Sequence, residues 1–293
     1  MPGRVGAPEG ALPPGLDLPS HPLQPKYRRT CANRGMPRHL PVLSRVFATL
    51  ASHAADALLS RACAGCAQPL ARGACRAGWC APCAAALDRP VSRCGQCAIE
   101  SLAPLCESCR TTPPPFTCTM VLGAYAPPLD RIVRALKFNR QPALGAALAA
   151  ALAPLVQREL AHLPAGHPRH RVVAVPLSEE RLAERGYNQS LLIARPLARV
   201  LGLPLDPTAL RRERAGPPQS RLSPGARVSN VAQAFIATRP HHEPVLLVDD
   251  VMTTGATLAA ASLALIRAGA PSVTCVVVAR TAPPDVSRCP GPP

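Results

Sequence analysis

Val245-Leu-Leu-Val-Asp249-Asp250-Val-Met-Thr253-Thr254-Gly255-Ala256-Thr257 is the stretch on which the reading of this chain turns. Four consecutive apolar residues predict a strand buried on both faces, as in a parallel sheet. Two carboxylates follow, expected exposed at the strand's C-terminal end, where open α/β sheets bind ligands. The Thr/Gly-rich loop leads into Leu258 to Ala268, whose Ala and Leu content predicts a helix. Gly255 permits positive φ, so successive N–H groups can face one concavity, and the helix start adds free N–H groups and a positive dipole end. Together these make a phosphate cradle beside a carboxylate pair suited to ribose hydroxyls and Mg²⁺. It is not a Walker loop, because no Gly-Lys-Ser/Thr occurs here.

Working outward, the same domain is legible on both sides. Thr111 to Pro115 reads as a linker. Met120 to Tyr125 predicts a strand, and Pro127 to Phe138 a helix with Leu129, Ile132, Val133 and Leu136 on one side, ending in Lys137-Phe138-Asn139-Arg140. Leu144 to Leu160 predicts a second helix and Arg171 to Val175 a buried strand. Arg185-Gly-Tyr-Asn-Gln189 then has two readings. It is either an anion-binding turn with Arg185 as the charged element, or a helix stop at Gly186 followed by a new helix from Asn188 through Val200. Leu210 to Asn230 is Arg-rich and poorly periodic, a solvated loop or a mobile cover over an anionic ligand. Short strands are expected at Ala234–Ala237 and Ser272–Ala279, and a frayed tail from Pro283.

Upstream lie Cys63-x-x-Cys66, Cys80-x-x-Cys83, Cys94-x-x-Cys97 and Cys106-x-x-Cys109. Eight thiolates suffice for two tetrahedral Cys₄ zinc sites, and thioredoxin-like redox chemistry accounts for one such pair but not four in tandem. With only Cys ligands there is no open position for water, which disfavours catalytic zinc. Consecutive knuckles would give Cys63/Cys66/Cys80/Cys83 and Cys94/Cys97/Cys106/Cys109, with interleaved pairing the alternative. Segments this short need the metal for folding energy. Trp79 is expected to pack against a knuckle.

Residues 1–40 are rich in Pro, Gly and Arg without periodicity and are predicted to be a disordered extension, Met36 being an alternative start to Met1. Residues 41–60 are read as an amphipathic lead-in helix, with apolar positions recurring at helical spacing from Leu43 to Leu59. A double zinc ribbon is assigned to 61–112 and an α/β domain to 117–283. The formal net charge of +16 is compatible with phosphate-rich partners. Only two of the 33 basic residues are Lys, however, and with abundant Ala and Pro this resembles GC-rich coding bias, so charge supports nucleic-acid binding only weakly. No continuous apolar run resembles a secretory signal or a membrane span, which predicts a cytoplasmic protein without membrane insertion.

The stretch 245–257 resembles the phosphoribosyl-diphosphate (PRPP) signature of type I phosphoribosyltransferases at all thirteen positions. The resemblance implies that Asp249 and Asp250 hold the ribose 2′- and 3′-hydroxyls and that Thr253, Thr254, Gly255, Ala256 and Thr257 hold the 5′-phosphate. The order of the cysteine knuckles, Leu-Lys137-Phe138, Arg185-Gly-Tyr-Asn-Gln189, Gln219-x-x-Leu222 with Arg227-x-x-Asn230, and the PRPP motif resembles the ComF family of competence-associated proteins, over roughly residues 43–281. The fold this implies is a type I phosphoribosyltransferase, Rossmann-like with a mostly parallel sheet, preceded by a small Cys-rich double zinc ribbon. The implied function is Mg²⁺-dependent pentosyl transfer from PRPP in DNA uptake during natural transformation. Asp249, Asp250 and Arg185 would be catalytic and Lys137 would assist at the pyrophosphate. The alternative is a non-catalytic competence module that binds PRPP or single-stranded DNA. The implied partners are PRPP, single-stranded DNA and helicase-type competence proteins. Thr253 stands where some purine-using relatives carry an Asp general base, so 6-oxopurines are expected to be poor acceptors.

Overall fold

The computed structural model describes residues 62–70, 78–87, 91–164, 166–213 and 234–282. The expectations for residues 1–40 and 41–60, for the centre of the Arg-rich segment (Gln219, Leu222, Arg227, Asn230) and for the tail from Pro283 lie outside the described residues.

The two cysteine segments are built alike. In each, a tight knuckle (Cys63–Cys66, Cys94–Cys97) is closed by a short antiparallel bridge, Ala62 to Pro69 and Arg93 to Glu100. Each knuckle ends on a left-handed residue, Ala67 at φ 60° and Ala98 at φ 56°. The remaining pairs stand at the starts of helices α1 (Ala81–Leu87) and α2 (Glu107–Thr111).

Next come β1 (Cys118–Ala124), α3 (Leu129–Phe138), α4 (Leu144–Leu160), β2 (Arg171–Ala174), α5 (Glu179–Arg185), α6 (Gln189–Leu201), β3 (Leu205–Asp206), β4 (Leu210–Arg212), β5 (Phe235–Ala237), β6 (Val245–Met252), α7 (Ala256–Arg267) and β7 (Val273–Arg280). Five strands form one sheet in the order β1-β7-β6-β2-β3. Every neighbouring pair in it is parallel. β4 and β5 form a separate antiparallel pair.

β6 shows why the four apolar residues decide the architecture. Val245, Leu246, Leu247 and Val248 are all fully buried. Successive strand side chains point to opposite faces. Leu246 and Val248 join a core with Leu136, Leu148, Leu152, Ile193 and Leu197 from α3, α4 and α6. Val245 and Leu247 join the opposite core with Leu258, Leu265 and Phe235 from α7 and β5. Truncating either leucine to Ala would cost about 2–5 kcal/mol, the usual range for a buried aliphatic side chain. α4 and α6 approach so closely that a Cβ at Gly145 would lie 2.6 Å from the Leu192 carbonyl oxygen.

Most predicted elements appear with ends displaced by one or two residues. Two differences matter. The Arg-rich segment, read as aperiodic, begins with strand β4, because Arg212 pairs with Phe235 across the small sheet. β3 is two residues long and escapes any periodicity argument; it exists by pairing with Val172 and Val173. Among the described residues, no helix is long and apolar enough to cross a membrane.

Candidate functional site

β2 and β6 are adjacent in the sheet, yet their outgoing connections diverge. β2 leads through α5 to α6 on one face, while β6 leads to α7 on the other. Such a switch point opens a crevice at the strand C-termini, the usual ligand site of an open α/β sheet. The twin acids and the Thr/Gly loop border it from β6, and Ser178 to Gln189 from β2.

The strand does not stop before the acids but continues through them to Met252. Asp249 and Asp250 are therefore held at adjacent positions of an extended backbone. The expectation that both are exposed needs correction: Asp250 is 7% exposed and Asp249 is partly buried. Asp249 Oδ1 accepts from Ser190 Oγ at 2.7 Å and from the Asp250 N–H at 2.9 Å. Asp250 Oδ1 lies 2.8 Å from Lys137 Nζ, which the last turn of α3 delivers. Burial, then the neighbouring Asp250 charge, pushes the Asp249 carboxyl up to about 7, outweighing the lowering by Ser190, the Asp250 N–H and Lys137.

Thr253, Thr254, Ala256 and Thr257 are exposed, whereas Gly255 is buried. Gly255 sits at φ 86° as the cap of α7, a conformation strained for any residue with a side chain. A Cβ there would also lie 2.7 Å from Met252 Cε. Thr254 Oγ1 accepts from the Ala256 N–H at 3.3 Å, closing the loop on itself. The loop thus presents hydroxyls at the start of a 12-residue helix.

At Arg185-Gly-Tyr-Asn-Gln189 the local structure is the helix stop and restart. Gly186 ends α5 at φ 79°, and Asn188 Oδ1 caps α6 by accepting from the N–H groups of Ser190 and Leu191. The other side chains are anchors. Tyr187 Oη donates to Leu136 O at 2.7 Å, and Asn188 Nδ2 donates to Val175 O at 3.0 Å. Arg185 lies with its guanidinium carbon 5.3 Å from the centre of the Phe138 ring and donates to Gln189 Oε1 at 3.0 Å. Its Nε is buried without a hydrogen-bond partner.

The eight knuckle cysteines gather consecutively, not interleaved. Cys63, Cys66, Cys80 and Cys83 form one cluster and Cys94, Cys97, Cys106 and Cys109 the other, with all sulfurs of a cluster within 4.8 Å of one another. Four sulfurs at about 2.3 Å from a tetrahedral metal stand about 3.8 Å apart. The separations Cys63–Cys80 of 3.5 Å, Cys66–Cys80 of 3.8 Å and Cys97–Cys106 of 3.6 Å fit that spacing. Burial would raise the Cys63 thiol, but N–H groups of Cys80, Cys66 and Gly65 bring it down to about 6, whereas burial and the neighbouring thiols push the Cys83 thiol up. Trp79 is 2% exposed and donates from Nε1 to Ala147 O at 3.0 Å, docking the first cluster on α4.

Two residues of the site escape a reading of the sequence. Ser190 steadies Asp249 from 59 residues away, and Arg280 holds the start of the Thr/Gly loop from beneath.

The model of the phosphoribosyl transferase domain matches residues 188–286, from the cap of α6 through the twin acids and past β7. The DNA utilization protein YhgH of Salmonella typhi is 38% identical over 178 residues, covering 60% of this chain and 78% of that protein. Its namesake in Escherichia coli (strain K12) is 36% identical over 185 residues, with the same coverages. The chain belongs to the ComF family. Competence protein F of Haemophilus influenzae is 32% identical over 157 residues, covering 52% of this chain and 68% of that protein. As the sequence resemblance implied, this ComF protein joins a phosphoribosyltransferase-type sheet to a Cys-rich region with two four-cysteine clusters fitting zinc ribbons.

Proposed function

We propose that this ComF protein binds Mg·PRPP at the β6–α7 turn and transfers its phosphoribosyl group, in the service of DNA uptake. The observation that carries the reading is the Asp249–Asp250 pair at the switch point, beside an exposed Thr-Thr-Gly-Ala-Thr loop. Two adjacent carboxylates on an extended strand suit the 2′- and 3′-hydroxyls of a ribose, and Thr253 to Thr257 suit its 5′-phosphate. Asp249 and Asp250 offer the oxygen donors a hard cation accepts, and Mg²⁺ arriving with the ligand would supply charge neutralisation at the pyrophosphate.

The chain's own residues would divide the remaining work. Positive charge develops on the ribose ring as pyrophosphate departs, and ionised Asp249 and Asp250 stabilise it. Lys137, paired with Asp250 in the free protein, would exchange that partner for pyrophosphate oxygens. Arg185, with an unpaired buried Nε, is a second cation for the same group. Thr253 is too weak a base near neutral pH to deprotonate an acceptor, which argues against 6-oxopurines. The cysteine clusters of the 61–112 ribbon would hold about two structural zinc ions, with the transferase-like domain spanning 117–283.

The names of the relatives, DNA utilization and competence proteins, support a role in handling incoming DNA. They also favour a second reading, a PRPP-responsive module that binds single-stranded DNA or helicase-type competence proteins without catalysis. Calorimetric titration of Mg·PRPP into wild type and the double variant Asp249→Ala/Asp250→Ala tests the binding site; equal affinities would refute it. Pyrophosphate release from PRPP across an acceptor panel, with and without single-stranded DNA, separates the readings. Release with any acceptor supports the transferase, and binding without release supports the module. Rapid turnover of hypoxanthine or guanine would refute the acceptor argument.

A further inference from the structure

Arg280, the last residue of β7, is 7% exposed, and all four of its hydrogen bonds end on main-chain carbonyls. Nη1 donates to Met252 O at 3.1 Å, to Thr253 O and to Thr281 O at 2.9 Å. Nε donates to Cys97 O at 3.0 Å, and Cys97 is a member of the second cysteine cluster. One buried guanidinium thus grips both the strand end that opens into the phosphate loop and the backbone of a metal-binding knuckle 183 residues away in sequence.

The peptide plane gives this grip a direction. In a trans peptide the C=O and the following N–H point opposite ways. The Met252 carbonyl, held also by the Thr281 N–H at 3.0 Å, and the Thr253 carbonyl both face Arg280, so the N–H groups of Thr253 and Thr254 face away from the guanidinium. The same cation leaves a positive charge directly beneath the loop. The knuckle end of the link is equally fixed. Thr119 Oγ1 donates to Gln96 O at 2.7 Å, and Gln96 Nε2 donates to Pro114 O and Phe116 O, both at 3.2 Å. Ala98 is buried in the core with Phe116 and Val121. A divalent metal held by four thiolates would carry net negative charge and attract Arg280, which is bonded to Cys97 O, and Arg93, which lies near Arg280. A filled cluster would therefore add an electrostatic hold on Arg280 to the hydrogen bonds that already seat it.

We infer that Arg280 is a positioning residue that couples metal occupancy of the Cys94/Cys97/Cys106/Cys109 cluster to the phosphate-binding conformation of the Thr253–Thr257 loop. The inference rests on the PRPP reading of that loop. Linkage then runs both ways: metal in the second cluster favours the phosphate ligand, and the ligand retards loss of the metal.

The test uses the zinc-loaded full chain. Calorimetry first establishes Mg·PRPP binding to wild type. Zinc release to a chromophoric chelator is then followed with and without saturating Mg·PRPP. One of two release phases is expected to slow at least threefold with the ligand. Arg280→Met should retain two zinc ions, bind Mg·PRPP at least tenfold more weakly and lose the ligand effect on release. Arg280→Lys should recover part of the affinity, through its charge. Wild type that binds Mg·PRPP but releases zinc equally fast with and without it overturns the coupling while leaving the PRPP reading intact. Wild type that binds no PRPP overturns both. The wild-type release measurement decides the coupling even if neither variant folds.

Discussion

Replacing Asp249 with Asn should stabilise the free protein at pH 8 while destroying its affinity for Mg·PRPP. In the folded chain the Asp249 carboxyl is pushed from 3.8 to about 7, chiefly by burial and then by Asp250. A folded pKa above the unfolded one means the native state binds more protons between about pH 4 and pH 7. Stability therefore falls as pH rises through that window, and the penalty is complete above about pH 7. About three pKa units at about 1.4 kcal/mol each set a ceiling near 4 kcal/mol. The gain in the variant will be smaller. The repulsion is shared with Asp250, and an Asn oxygen still accepts from Ser190 Oγ and the Asp250 N–H. A gain of about 1–2 kcal/mol is expected, raising Tm by about 3–6 °C for a domain of this size. Thermal melts of both proteins at pH 5 and pH 8 measure it. The melting curves should lie closer together at pH 5, where about a third of the penalty has accrued, than at pH 8, where it is complete. Calorimetry with Mg·PRPP should show the opposite sign, since the amide cannot supply the carboxylate charge. A variant that melts at or below wild type at pH 8, or keeps the wild-type pH slope, would refute the argument.

Ser190→Ala removes the 2.7 Å donor to Asp249, which raises that carboxyl further; Mg·PRPP affinity should drop several-fold at pH 7 and recover toward pH 9 in calorimetric titrations. A pH-independent loss would mean Ser190 acts only on the fold. Elemental analysis should find about two zinc ions per chain, and Cys63→Ser should lower that to about one while leaving the sheet folded by circular dichroism; iron, or no metal, would reject the assignment. Single-stranded DNA, if held through phosphates by the Arg-rich surface, should dissociate steeply as salt rises in fluorescence anisotropy. No binding at low salt would leave the competence role to protein partners.

What the sequence made legible was local in the chain. The Val245–Thr257 stretch carries strand, acids, turn and helix within a few residues, so alternation, glycine chemistry and capping suffice to read it. Lys137 could be placed at a helix end, but only the fold shows that it meets Asp250. Cluster membership depended on how the knuckles fold back, which spacing left open. Ser190 and Arg280 were invisible because each acts across a long chain separation, 59 and 183 residues. Nothing nearby in the chain marks a serine inside an amphipathic helix or an arginine ending an apolar strand as special. The Asp249 and Asp250 environment failed for a related reason. Strand-end acids are usually solvated, and here α6 and α3 supply Ser190 and Lys137 to cover them.

Trp79 gives the molecule an optical label of its own. It is the chain's single tryptophan, buried at 2% exposure with its indole N–H bonded 3.0 Å from Ala147 O. It also borders the first cluster, since a Cβ at Gly65 would lie 3.4 Å from its ring and 2.8 Å from Cys83 Sγ. Indole emission is blue in dry surroundings and shifts red on wetting. Separation of the first knuckle from α4 would therefore change the colour of all the tryptophan fluorescence the protein has. The second knuckle, held through Gln96 and Arg280, contributes no tryptophan signal. The two cysteine clusters can thus be told apart in the unmodified chain, because only the first reports through tryptophan emission.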